Sequence, residues 1–247
     1  MCSRSNGDGT RKMPRDTITI TKNRLLAALP PEIFDGLYPD LHPESLTQRQ
    51  VLYTPGAPIE HVYFVETGVV SVLTNMADGG AIEVGMIGAE GIVGVSALLG
   101  AALSSHQTIV QVGGTALRMK AARFKAAFDQ HAAVRRLALR FVDALLNLSG
   151  QTAACNRLHS LEQRCARWLL LTHDRVGSDE FPMTHEFLSQ MLGVRRASVT
   201  VTAGILQRAG FVEFSRGRVA VVDRPGLESA ACECYAVTRE VYDRLLP

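Results

Sequence analysis

The sequence lacks what would mark a secreted or membrane-embedded chain. Its five cysteines (Cys2, Cys155, Cys165, Cys232, Cys234) are odd in number and scattered over 247 residues. With no apolar signal segment near the start, this argues for a reducing, cytoplasmic setting. No apolar run reaches the roughly 18 residues that a membrane-spanning helix needs, because glycine, serine, arginine or a charge interrupts each candidate, including 93–103. Catalytic signatures are missing as well: no glycine-rich phosphate loop precedes a lysine, no metal-ligand spacing stands out, and no nucleophile sits in a recognisable elbow. The chain is therefore not expected to be an enzyme, and neither a cofactor nor a metal is expected. A large excess of one charge is also lacking: the net charge of +2 is too small to announce a nucleic-acid partner, so any such partner must show in how the charge is distributed.

The distribution is uneven. Residues 30–130 hold 5 Lys/Arg against 10 Asp/Glu, whereas residues 155–224 hold 10 against 7, every one of those 10 an arginine. Arginine's planar fork grips a phosphate or a guanine edge bidentately, which a lysine point charge does not. With 47% hydrophobic residues the chain can bury a full core, in one large domain or two modest ones.

Residues 1–21 are rich in Ser, Gly, Thr, Arg and Lys and poor in large apolar side chains, so a disordered basic arm is expected. Its Arg4, Arg11, Lys12 and Arg15 fit either a solvated tail or contact with a DNA backbone. Residues 22–37 read as one or two short helices broken at Pro30-Pro31. From 44 to 119 short apolar runs alternate with turn residues: 51–53, Pro55-Gly56, 61–65, Thr67-Gly68, 69–73, Asp78-Gly79-Gly80, 82–87, 108–112 and 116–119. Strands of about five residues at intervals of about ten predict an all-β roll, with the glycines letting backbone pass close to backbone or ligand. The domain spans 22–130.

The apolar period then lengthens. Val134, Leu137, Phe141, Ala144, Leu148, Gln151, Cys155 and Leu158 recur at spacings of three and four, a heptad seam over 131–158. Such a helix either pairs with an identical helix, making these residues a dimer interface, or lies on its own domain. Gln151 could then fix register, and Cys155 serves there as a small hydrophobe. A second helix over 161–176 carries the only tryptophan, Trp168, and ends at Gly177.

The stretch MTHEFLSQMLGVRRASVTVTAGILQRAGF divides at Gly193. Thr184 is a good N-cap for a helix with Phe187, Leu188, Met191 and Leu192 at helical spacing. Gly193 permits a tight turn plugged by Val194, and a second helix runs from about Arg195 to Arg208 with Val199, Ala203 and Leu206 inward. Its other face carries Arg195, Arg196, Ser198, Thr200 and Thr202, hydroxyls beside arginines at a helix N-terminus, as entry into a DNA groove requires. Strands over 212–214 and 219–222, joined through Ser215-Arg216-Gly217-Arg218, read as a wing whose Arg216 and Arg218 would lie against phosphates. The winged helix-turn-helix spans 159–224. Residues 225–246 read as a C-terminal helix within a 225–247 extension. Cys232 and Cys234 there would point to different faces, favouring structural use over a metal or redox pair.

On PGAPIEHVYFVETGVVSV in the roll, the heptad helix and MTHEFLSQMLGVRRASVT, the chain resembles the Crp/Fnr superfamily of bacterial dimeric transcription regulators. The resemblance implies an α+β fold: an N-terminal cyclic-nucleotide-binding-like β-roll, a long dimerisation helix and a C-terminal winged helix-turn-helix. It implies double-stranded DNA bound by a homodimer at a pseudo-palindromic operator, with RNA polymerase as a further candidate partner and no membrane. It places Thr184, Arg195 and Ser198 at phosphate contacts and Arg196 at the guanine-reading position. The chain departs from the cyclic AMP receptor type at Ala197 and Val201, where that type has a glutamate and a second arginine, so its operator should differ and Thr200 or DNA shape would carry part of the readout. The effector site departs further: at Gly94, Val95, Ser105 and His106, the ribose-holding glutamate is replaced by Val95 and the phosphate-clamping Arg-Ser pair by Ser105-His106. Control by cyclic AMP is therefore not expected, and the effector stays unnamed. An iron-sulfur sensor is rejected because Cys2 stands alone near the start. Haem stays open through His61, His106, His131, His159 and Met86, though no spacing favours it. The rival reading is a cyclic-nucleotide or other small-ligand sensor module acting through a protein partner.

Overall fold

The computed structural model describes residues 21–246. The arm expected over 1–21 lies outside them except for Thr21, which is buried and donates a hydrogen bond to Glu66 Oε1. Two short helices follow, as expected: α1 (Arg24–Ala27), capped by the Asn23 side chain, and α2 (Pro31–Leu37), with Pro31 in its first turn where its missing N–H costs nothing. Buried Asn23 also donates to the carbonyls of Val65 and Gly91, fixing this start to the roll.

The roll is one antiparallel sheet of β1 (His42–Leu46), β2 (Val51–Tyr53), β3 (His61–Asn75), β4 (Ala81–Ile87), β5 (Ile92–Val93) and β6 (Gln107–Lys120), with β6 pairing β1, β2 and β3. Asp78-Gly79-Gly80 joins β3 and β4, as the Asp-Gly signal predicts. Two other expected breaks are not breaks. Thr67-Gly68 lies inside β3, and the gap between 112 and 116 lies inside β6, where the pairing register shifts without interrupting either strand. The glycines mark a crossing of backbones rather than turns: Gly68 has φ 85°, and a Cβ on it would stand 2.5 Å from the Val112 carbonyl oxygen.

Helix α3 (Ala121–Gln130) leads into α4 (Ala132–Leu158), the long helix. The expected dimer seam needs correction. Val134, Phe141, Ala144, Leu148 and Cys155 are buried inside their own chain, with Leu137 and Gln151 half-buried. Phe141 fills the space above Gly91, where a Cβ would meet its ring at 2.5 Å. A 3.5-residue period reports one apolar stripe but not what covers it, and here the open sheet needed a cover. The face of α4 left outward carries Leu139 (45% exposed) and Leu146 (66%).

Helix α5 (Leu161–Val176) starts with a capping box formed by Ser160 and Gln163 and stops at left-handed Gly177. Strand β7 (Glu180–Pro182) pairs with β9 (Arg218–Val221), which also pairs with β8 (Val212–Ser215). Between them stand α6 (His185–Leu192) and α7 (Arg196–Arg208). The single helix expected over 225–246 is instead two, α8 (Arg224–Ala230) and α9 (Cys234–Leu245), because Ala231 turns extended.

The two halves of the chain share one continuous core. Buried Arg175 of α5 reaches Glu90 of the roll at 2.7 Å. The Gly193 turn rests on Ile82 of β4, so close that a Cβ on it would meet Ile82 Cδ1 at 2.7 Å.

Candidate nucleic-acid interface

Thr184 caps α6, its side-chain oxygen accepting from the backbone N–H of Phe187. Gly193 closes α6 at φ 63°, and Arg195 is the N-cap of α7. Val199, Ala203 and Leu206 face the core as expected. Thr202 does too, at 2% exposure, against the expectation that it shares the outer face: it lies one turn from Val199 and Leu206, and the helical repeat turns it inward.

The outer face at the start of α7 is therefore Arg195, Arg196, Ala197, Thr200 and Val201, with Ser198 half-buried at its edge. The Arg196 side chain is 69% exposed, and Glu186 is its ionic neighbour at 3.9 Å. So loose and exposed a pair holds Arg196 weakly. Thr200 Oγ1 donates to the Arg196 carbonyl and stands 3.1 Å from His185 Nδ1. Burial, with Arg196 nearby, holds His185 below the ordinary histidine range, so its ring is neutral at pH 7. That ring also packs edge-on against Phe214 at 5.0 Å, joining α6 to the wing. Sequence reading missed His185; its place directly after the Thr184 cap was the available signal.

The wing turn places Arg216 at φ 47° and Gly217 at φ 77°, two successive left-handed residues, a turn that matches the twist of its strands. Met183 N–H donates to the Gly217 carbonyl, bringing the wing tip beside Thr184. Arg218 pairs with Glu180 of β7, a strand the sequence did not announce. Thr184, His185, Arg196, Arg216 and Arg218 line one groove, joined by Arg49 from the turn between β1 and β2. Arg49 was also missed. Four arginines around a capped helix start form a concave, positively charged surface of the kind that holds a phosphate backbone.

Of the residues expected at the effector pocket, Gly94 and Val95 follow β5 directly and Ser105 and His106 directly precede β6. Gly94 has φ 86°, and a Cβ on it would meet the Tyr53 hydroxyl at 2.8 Å and the His61 carbonyl oxygen at 3.1 Å, while Val95 is buried at the start of a short 3-10 turn. Ser105 is exposed, and His106 is half-buried with Nδ1 3.3 Å from Thr74 Oγ1.

The roll over residues 43–131 matches the cyclic nucleotide-binding domain, and residues 163–230 match the Crp-like helix-turn-helix domain. This pairing defines a DNA-binding regulator with an effector-type roll. The chain belongs to the Crp/Fnr family of transcription regulators. Solved structures of the same fold include a Crp/Fnr-family protein from Eubacterium rectale, 17% identical with a TM-score of 0.66, covering 82% of this chain and 94% of that one. FixK2 from Bradyrhizobium japonicum is 17% identical with a TM-score of 0.67, over 78% and 98%. The c-di-GMP-responsive regulator CLP of Xanthomonas campestris is 15% identical with a TM-score of 0.64, over 77% and 98%. No curated protein matches the chain. Among the described residues no helix is long and apolar enough to cross a membrane.

Proposed function

We propose that the chain acts in the cytoplasm as a homodimer on a pseudo-palindromic operator, without cyclic AMP. The observation that carries this is the groove shared by α7 and the wing. In this reading Thr184 and Arg216 of the groove, with Arg195 and Ser198 beside it at the start of α7, meet phosphates, and exposed Arg196 with Thr200 meets base edges. Arg218, already paired with Glu180, contributes less freely. Pairing uses the outward face of α4, where Leu139, Leu146 and Ala153 stand seven residues apart and exposed. A two-fold protein then meets half-sites about one helical turn apart. Contact with RNA polymerase belongs to the same reading.

Independence from cyclic AMP rests on the chemistry around Gly94. Val95 offers no acceptor to a ribose, and Ser105-His106 supplies no guanidinium to a buried phosphate, a charge-assisted contact worth about 2–3 kcal/mol. The test is binding of the purified chain to its own promoter DNA, with Arg196→Ala alongside. Binding without added nucleotide that weakens in the variant supports the reading. A strict requirement for cyclic AMP, or a flat response to salt, defeats it.

A further inference from the structure

Four side chains away from the DNA-reading groove converge at the end of the long helix. Cys155 and His159 stand one helical turn apart, Cys155 in the last turns of α4 and His159 as its C-cap. The break between α8 and α9 brings Cys232 and Cys234 onto the same spot. The sequence pattern suggested that these two point apart on one helix, but Cys232 lies before the helix begins, so both thiols turn inward. The three thiols and the imidazole all lie within 4.8 Å of one another; the cysteines are buried and the histidine is half-buried.

Two of the spacings match the edges between ligands around one ion, and the rest lie within 4.8 Å. Cys155 Sγ is 3.5 Å from Cys232 Sγ, and Cys234 Sγ is 3.5 Å from His159 Nδ1. A disulfide would bring two sulfurs to about 2.05 Å. Tetrahedral Zn–S bonds of about 2.3 Å and Zn–N bonds of about 2.0–2.1 Å give ligand-to-ligand edges of roughly 3.5–3.8 Å. An iron-sulfur cluster has several atoms at its centre and needs its ligands spread more widely.

The surroundings fit as well. His159 Nε2 is 3.2 Å from Glu233 Oε1. This carboxylate holds the proton on Nε2 and leaves Nδ1 free to bind metal, the usual outer partner of a metal-bound histidine. Gln151 Nε2 donates to Cys234 Sγ at 3.0 Å. Arg167 is buried, its Nε without a hydrogen-bond partner among the described residues, and its charge acts on Cys155. A divalent ion with three thiolates and a neutral imidazole carries one net negative charge, which this guanidinium offsets.

We propose that Cys155, His159, Cys232 and Cys234 hold one mononuclear divalent metal ion, Zn2+ by the softness of the set, which staples the C-terminal helices to the end of α4. Three thiols give up three protons to solvent as the ion binds. The four protein ligands complete the coordination, so the site is structural, without an open position for substrate. It does not depend on the DNA-binding reading, because its test measures metal.

The full-length chain is stripped with chelator under reducing conditions and titrated with Co2+. The expected result is one ion per chain with the thiolate charge-transfer and ligand-field absorption of a tetrahedral site, displaced by Zn2+. Cys232→Ser and His159→Ala should abolish the spectrum. Glu233→Gln should keep it and weaken binding by about tenfold or more, and Cys165→Ala should leave it unchanged. Should the ligand variants misfold, alkylation of the native wild-type chain decides: Zn2+ should protect Cys155, Cys232 and Cys234, and chelator should expose them. Absence of binding with the thiols free overturns the proposal. So does a Cys155–Cys232 disulfide that forms in place of metal binding, or the chromophore of an iron-sulfur cluster.

Discussion

Trp168 Nε1 donates a hydrogen bond to Glu83 Oε1 at 2.9 Å, across the boundary between α5 and the roll. The bond is one link in a buried polar line. Ser71 donates to Gln111, Gln111 donates to Thr172, and Thr172 donates to the Trp168 carbonyl. The other carboxylate oxygen of Glu83 is buried without a hydrogen-bond partner among the described residues. Desolvation by burial therefore dominates and pushes this carboxyl up from 4.5 to about 7, with Ser71, Trp168 and the arginines Arg175 and Arg167 opposing it.

The sign of the pH dependence follows. A carboxyl raised by folding stabilises the fold fully below about 4.5, and that contribution is lost as pH rises to about 7. The loss is on the order of 3 kcal/mol. Glu83→Gln keeps an acceptor for Trp168 and removes the ionisation, so it should be more stable than wild type at pH 8, the difference shrinking toward pH 5. Urea unfolding at the two pH values measures this; an equal difference at both would show that Glu83 does not titrate there.

Arg196→Ala should weaken binding to the operator by roughly 1–3 kcal/mol and relax base preference at one position in each half-site. Arg216→Ala should instead weaken all sequences alike and flatten the salt dependence by about one ion. Fluorescence anisotropy over a panel of single-base variants separates the two effects.

Leu146→Glu places a charge on the exposed face of α4. Sedimentation should find a monomer where the parent is a dimer, with the fold unchanged because the side chain is 66% exposed in the single chain. A parent chain that sediments as a monomer would remove the basis for two-fold operator binding.

Gly193→Ala forces a Cβ into the Ile82 side chain at a left-handed backbone position. The cost should be about 1–3 kcal/mol, read as a lower unfolding midpoint, and Ile82→Ala in the same chain should recover part of the steric share. Full additivity of the two changes would mean that the residues do not touch.

Much of this was legible in the sequence. The Thr184 cap, the Gly193 turn and the inward Val199, Ala203 and Leu206 follow from helix chemistry over neighbouring residues, and the structure keeps them. What failed needed distant partners. Phe141 and Leu148 could be placed on one stripe, but not on their own sheet rather than a second chain. Gly68 looks locally like a turn, and only the strand beside it shows that it is a crossing. Arg49 comes to the groove from more than a hundred residues away. Cys155 and Cys232 likewise meet only because two helices end where they do.

Because Gly193 rests on Ile82 with no room for a methyl group between them, the bend that aims α7 belongs to the same solid as the β3–β4 hairpin. The reading head thus takes its bearing from the roll. A change in the angle between α7 and β4 would have to displace the Ile82 side chain.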